Sequence, residues 1–236
     1  MQPDGSVLEP GVGEPFSPVQ PDLAAKLAEC LLASRLERLR PDEVDGDVLA
    51  GPPQQGVPTG CRQGGRTFPD TSGEVAAAVS WLSLRGLVQG MPDGTYAPSR
   101  AVDRATAVVV LHRVAGAPVL ADRHGFPDVA ADGGELDRAV RWATATGLVR
   151  GTADGTFAPR DPLTRGQAVV LLWRGQGRPE APPSGFTDVA GEVATAAAWA
   201  LEARITRGRT ATSFDPTRPL DRGAFAVLLH RQHAVG

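Results

Sequence analysis

The sequence predicts a mainly α fold in which three helix–loop–helix units share one core. Three observations carry that expectation. A pattern of about 58–60 residues recurs three times. Each copy holds two apolar stretches with helical period. Glycine and proline, 28 and 21 of 236 residues, fall largely between those stretches in the repeats and punctuate them.

Residues 1–67 stand apart as a leader and linker. They hold nine prolines and ten acidic against six basic side chains. One helix is expected there, from Asp22 to Arg40, with Leu23, Leu27, Leu31 and Leu32 on its apolar side, Pro21 and Asp22 at its start and Pro41 as its stop. Gly51 to Gly65 reads as linker. No basic and apolar leader of the secretory kind opens the chain.

The first repeat is expected over residues 68–125, the second over 126–185 and the third over 186–236. They open on Phe68-Pro69-Asp70, Phe126-Pro127-Asp128-Val129 and Phe186-Thr187-Asp188-Val189. A first helix follows in each. Val75, Ala78, Val79 and Leu82 recur at i, i+3, i+4 and i+7, as do Leu136, Ala139, Val140 and Ala143, and Val193, Ala196, Ala197 and Ala200. Each helix carries one tryptophan: Trp81, Trp142 and Trp199. Five residues later Gly86 and Gly147 suit the left-handed position that ends a helix, where the third copy has Arg204. Gly90, Gly151 and Gly208 follow, read as further backbone positions with positive φ or as places of close approach.

A turn with an aromatic residue and a proline comes next: Asp93-Gly94-Thr95-Tyr96-Ala97-Pro98, Asp154-Gly155-Thr156-Phe157-Ala158-Pro159, and the weaker Phe214-Asp215-Pro216. It reads as a turn followed by a short extended piece. Asp103, Thr164 and Asp221 are then good N-caps for a second helix, and Thr164 with Gln167 fits a capping box. These helices open on Arg104, Arg165 and Arg222 and close on Arg113, Arg174 and Arg231. From tryptophan to final arginine the three copies align without a gap. Their small alanine-rich faces suit packing of one copy on the next.

Several function classes are excluded or disfavoured. Net charge is −3, divided into −4 on the leader and +1 on the repeats, so nucleic acid is not the expected partner. Arginine outnumbers lysine 23 to 1, which reads as codon bias. No apolar run reaches the ~18 residues of a membrane helix. Two cysteines, Cys30 and Cys61, make neither a disulfide framework nor a four-thiolate zinc site. The histidines show no HExxH spacing, and Asp93 and Asp154 are lone carboxylates where a calcium loop needs several. No catalytic constellation, metal site or cofactor is expected.

The repeated pattern resembles the S-layer homology module, with its F-x-D-V opening, tryptophan-bearing helix, G-I/L-x-x-G step, D-G-x-F-x-P turn and T-R-A-E-like helix start. The second repeat matches best, through Phe126, Asp128, Val129, Trp142, Gly147, Gly151, Asp154, Gly155, Phe157, Pro159, Thr164 and Arg165. The resemblance implies a pseudo-threefold bundle acting as a non-enzymatic anchor at the cell surface, whose inter-repeat grooves bind acidic, often pyruvylated, cell-wall polysaccharide. It nominates Arg104, Arg165 and Arg222 as anion contacts, with Arg165 the foremost. None of the three copies ends its element on the family's acidic residue.

The physical expectation runs in parallel. An arginine at a helix start adds a guanidinium fork to free backbone N–H groups, a place that suits a carboxylate. Trp81, Trp142 and Trp199 are candidates to stack on a sugar face, or else pack in the core. Asp70, Asp128 and Asp188 read as helix caps or ligand contacts, and Gly90 and Gly151 as points of sugar approach. The arginines have a structural ion pair as the plain alternative. Two further readings stay open: a cytoplasmic scaffold that uses the same bundle for protein contacts, or the anchoring part of a longer wall-acting enzyme; residues 1–67 are a separate candidate surface for a protein partner.

Overall fold

The computed structural model describes residues 67–121 and 123–234. The helix expected over Asp22–Arg40, the linker and both cysteines lie outside them. Among the described residues the fold is mainly helical, with six helices: α1 (Gly73–Leu84), α2 (Arg104–Val114), α3 (Glu135–Ala145), α4 (Arg165–Gly175), α5 (Gly191–Glu202) and α6 (Arg222–Ala234). No helix among them is long and apolar enough to cross a membrane. The described residues fall into two compact units, 67–97 and 98–234.

The smaller unit is built on α1. Its helical stripe is buried as the period requires, with Ala78, Val79 and Leu82 fully enclosed. The helix ends where glycine allows it. Gly86 takes φ +67°, and the Leu87 N–H returns to the Leu82 carbonyl at 3.0 Å. The chain then turns through Asp93-Gly94, whose Asp93 carboxylate accepts the Thr95 N–H at 2.9 Å. Tyr96 is buried, its ring 5.5 Å from that of Phe68.

The larger unit repeats this device twice. Phe126 lies 5.8 Å from Phe157, and Phe186 lies 5.4 Å from Phe214. The register survives even where the third copy lacks Asp-Gly. Thr152 N–H bonds the Thr156 carbonyl and Arg209 N–H bonds the Ser213 carbonyl, both at 2.8 Å, with the Thr210 hydroxyl taking the turn role of the missing aspartate. Arg204 accepts the left-handed helix end at φ +56°, a conformation that costs a non-glycine residue about 1 kcal/mol.

Packing runs between copies. Helix α2 packs on α3, and α4 packs on α5, so the second helix of one repeat rests on the first helix of the next. The alanines Ala139, Ala143, Ala196, Ala197 and Ala200 are fully buried, which lets these backbones approach closely. Two ion pairs tie the same joints. Arg113 forks onto Glu135 at 2.6 and 2.8 Å, and Arg174 onto Glu192 at 2.9 and 2.6 Å.

At the centre of the larger unit three short segments close a cycle. Val102 N–H donates to the Leu220 carbonyl at 2.9 Å, Leu220 N–H to the Leu163 carbonyl at 2.8 Å, and Leu163 N–H to the Val102 carbonyl at 2.8 Å. All three side chains are buried. Each of the three ring residues therefore gives one bond and takes one, and each segment is paired with both of the others.

The glycines expected to have positive φ do so at Gly86, Gly147, Gly151 and Gly208, but not at Gly90. Gly90, Gly151 and Gly208 share a different reason. A Cβ on them would sit 2.2, 2.4 and 2.5 Å from the ring of the opening phenylalanine, Phe68, Phe126 or Phe186. The space a side chain would need is filled by an aromatic ring. Gly151→Ala should therefore destabilise the protein by about 2 kcal/mol or more through overpacking and a strained φ. Gly155→Ala, with open space around it, should cost only the conformational penalty of about 1 kcal/mol. Chemical denaturation of the two variants measures the difference.

Candidate inter-repeat anion site

Helices α2, α4 and α6 begin as expected. The Asp103 carboxylate accepts the Thr106 N–H at 2.7 Å, Thr164 and Gln167 form a reciprocal capping box, and Asp221 accepts the Ala224 N–H at 2.6 Å. The expectation of free N–H groups beside the arginines fails, however. Arg104, Arg165 and Arg222 donate their own N–H to the carbonyls of Asp161, Arg218 and Arg100 at 3.0, 2.8 and 2.8 Å. The next residues, Ala105, Gly166 and Gly223, donate to Pro159, Pro216 and Pro98 at 2.9, 2.8 and 2.8 Å. Adjoining segments and the caps thus consume the first three donors of each helix. Any anion held here would meet guanidinium groups and not a bare helix end.

The arginines reach into the following repeat. Arg104 Nε donates to the Phe157 carbonyl at 2.8 Å, and its guanidinium carbon lies 5.1 Å from the centre of the Phe157 ring. Arg165 donates to the Thr206 hydroxyl at 2.7 Å and lies 4.6 Å from the Phe214 ring. Neither makes an ion pair within 4 Å among the described residues. Asp103, next to Arg104, turns its carboxylate to its own helix. Burial pushes the pKa of both guanidinium groups down, opposed at Arg104 by the carboxylates of Asp161 and Asp128.

A cavity of about 480 Å³ opens in the larger unit, lined by residues of the second and third repeats and by Arg104 and Val108 of the first. Arg104, Arg150 and Arg174 line it together with Asp188, Glu192 and Phe157. Glu192 is occupied by the fork of Arg174 and stands 3.8 Å from Arg150. Arg174 also donates to the Leu148 carbonyl at 2.8 Å, which ties the cavity wall to α4.

The three recurrent aspartates are not helix caps, contrary to expectation. The first-helix N-caps are Ser72, Gly134 and Ala190, none with a side-chain cap bond. Asp70 instead accepts the N–H groups of Tyr96 and Ala97 at 2.9 and 2.7 Å, and Asp128 those of Phe157 and Ala158 at 2.8 and 2.7 Å. Asp188 accepts from Phe214 and Asp215, both at 2.8 Å, and from the Ser213 hydroxyl. The residue before each turn proline is left-handed and not extended: Ala97 at φ +56°, Ala158 at +55° and Asp215 at +63°. The carboxylate clamps the two N–H groups that flank this strained step.

The tryptophans diverge. Trp142 is in the core, its ring 5.5 Å from that of His112. Trp81 is half-buried under the Arg85 guanidinium at 3.9 Å, and Trp199 is half-buried. Two elements escape a reading based on the arginine motif. One is the Arg–Glu fork, signalled by Glu74, Glu135 and Glu192, each seven residues before a tryptophan. The other is Asp137, fully buried, which accepts the Arg141 fork at 2.6 and 2.7 Å and the Gly133 N–H at 2.8 Å, with His124 Nε2 at 3.3 Å. Its pKa is held down, chiefly by Arg141. It occurs in one repeat only and has no periodic signal.

The S-layer homology domain model matches residues 67–108, 125–169 and 185–226, more than half of the chain. The chain belongs to the S-layer homology domain family. Similar proteins include the S-layer protein of Bacillus licheniformis, 29% identical over 121 residues, which are 50% of this chain and 14% of that protein. The surface-layer 125 kDa protein of Lysinibacillus sphaericus is 29% identical over 175 residues, 70% of this chain and 14% of that protein. Cell surface glycoprotein 1 of Acetivibrio thermocellus is 34% identical over 94 residues, 37% of this chain and 4% of that protein. The chain thus matches no more than about a seventh of the length of these relatives.

The Asp188 clamp gives a pH test. Its N–H donors, Phe214 first, lower the Asp188 pKa to about 2. An unfolded aspartate titrates near ~3.9. Because the folded value is the lower one, the clamp's stabilisation is complete above the unfolded pKa and is lost as pH falls through the folded value. Wild type should lose stability between about pH 4 and 2, and Asp188→Asn should lose less over that window. Thermal melts of both proteins at each pH give the comparison.

Proposed function

We propose that the repeats form a non-catalytic module that holds the protein at the bacterial cell surface by binding wall polysaccharide noncovalently in grooves between repeats. The observation that carries the reading is the inter-repeat cavity, lined by three arginines around two carboxylates that are already bonded to the protein. Arg104 holds one carbonyl through Nε, which leaves donors of its fork for an anionic sugar. Arg150 is exposed at the cavity wall. A carboxylate-bearing glycan, pyruvylated or uronic, fits such donors.

Family membership supports this reading, as do relatives named for surface layers and the cell surface. The cell wall is the proposed location. Arg104, Arg165 and Arg222 are the proposed ligand contacts, with Trp81 and Trp199 as candidate sugar platforms. Asp70, Asp128 and Asp188 act by positioning the turn, and Gly90 and Gly151 act by admitting the phenylalanine ring. The core place of Trp142 removes it from the proposed contacts.

Co-sedimentation with purified native cell walls tests the function. Wild type should pellet with walls and stay soluble without them. Arg104→Gln should weaken binding about tenfold, the loss of one charge-assisted pair, with a small fall in melting temperature from the lost Phe157 contacts. Wild type that stays in the supernatant with walls present would refute the anchoring function.

A further inference from the structure

Arg104 and Arg165 occupy the same place in successive repeats, yet they sit in opposite fields. The backbone carbonyl that caps Arg104 belongs to Asp161, and the one that caps Arg165 belongs to Arg218. The turn that begins with Thr152 in the second repeat begins with Arg209 in the third. The register from Trp142 to Trp199 thus exchanges an acid and a neutral residue for two arginines. Arg209 and Arg218 are both exposed.

The surrounding bonds bring these groups together. Arg165 bonds Thr206, and Arg231 bonds the adjacent Ile205 carbonyl at 3.1 Å. Arg209 Nε stands 4.0 Å from the carboxylate of Asp215, which directly follows the Phe214 ring beside Arg165. The Arg165 Nε is buried and without a hydrogen-bond partner among the described residues. Burial lowers the Arg165 pKa first, and the charges of Arg209, Arg218 and Arg231 lower it further, opposed by that of Asp215. At Arg104 the named neighbours are the two carboxylates of Asp161 and Asp128. These like charges outnumber the carboxylates of Asp215 and of Asp188, which holds the Phe214 and Asp215 N–H groups, and such an excess is costly to keep without an anion.

We propose that Arg209 and Arg218 of the third repeat make the Arg165 position selective for a doubly charged anion, two carboxylates on neighbouring sugars or one phosphate group. The Arg104 position takes a singly charged group. The third copy, the most divergent of the three in motif, then sets charge selectivity and is not a silent spacer. The inference rests on the glycan-binding reading for its sugar scaffold, but its test needs no cell wall.

The probes are galacturonate, trigalacturonate and inorganic phosphate, titrated into the full chain while the Arg165 side-chain N–H resonance is followed by NMR. Trigalacturonate, phosphate or both should shift that resonance at concentrations at least tenfold below galacturonate; which of them does so identifies the source of the charge. The variant Arg209→Thr with Arg218→Asp restores the residues of the second repeat at exposed positions and should abolish the preference. The reverse exchange, Thr152→Arg with Asp161→Arg, should create the preference at Arg104. Equal response to all three probes, or a preference unchanged in the Arg209→Thr, Arg218→Asp protein, would overturn the proposal. The same variant is also sedimented with walls. Wild type bound to walls without probe selectivity discredits only this inference, whereas selectivity without wall binding discredits only the anchoring reading.

Discussion

The closed cycle of backbone bonds among Val102, Leu163 and Leu220 is the constraint on which the larger unit depends. A single strand pairing leaves edges. In the ring each of three segments pairs with both of the others, and each buried N–H finds a carbonyl without a sheet. The ring also fixes where α2, α4 and α6 begin, because the caps Asp103, Thr164 and Asp221 directly follow the three ring residues. The next two N–H groups of each helix are then within reach of the carbonyls of an adjoining turn. Burial of a bond of this kind contributes about 1 kcal/mol, but leaving one unmade costs more. The larger unit is therefore held together more by what breaking the ring would expose than by any single contact.

That closure has a functional consequence. Helix starts often bind anions through their own N–H groups. Here those groups are spent on holding repeats together, so the proposed anion recognition passes to side chains. Arg104 and Arg165 cross to the aromatic residue of the following repeat, and the Arg–Glu forks brace the same joints. The cavity is lined from more than one repeat, so its charge depends on the residues that the neighbouring repeats bring.

Much of this was legible in the sequence, and the limits have physical causes. The helices, their caps and the left-handed ends at Gly86 and Gly147 follow from local chemistry: a 3.6-residue period, an oxygen at the cap, and a missing Cβ. Arg204 shows that tertiary packing can impose the same φ without glycine. The clamp formed by Asp70, Asp128 and Asp188 has no local signal, because their partners lie 25 to 30 residues away, beyond any local rule. Gly90 and Gly151 were visible as invariant points of the repeat, but not the phenylalanine ring that requires them. The spent N–H groups were hidden for the same reason, since their acceptors lie in another copy of the motif. Repetition disclosed the unit, and only the three-dimensional closure disclosed how units share their bonds.

One closed ring supports the proposed inter-repeat site. Native-state hydrogen exchange, with and without purified wall polysaccharide, tests it most directly. The amide protons of Val102, Leu163 and Leu220 should exchange only through global unfolding, at a common free energy, and should slow together when polysaccharide is added. Exchange of Leu220 far faster than the other two, or slowing confined to one of the three, would contradict it.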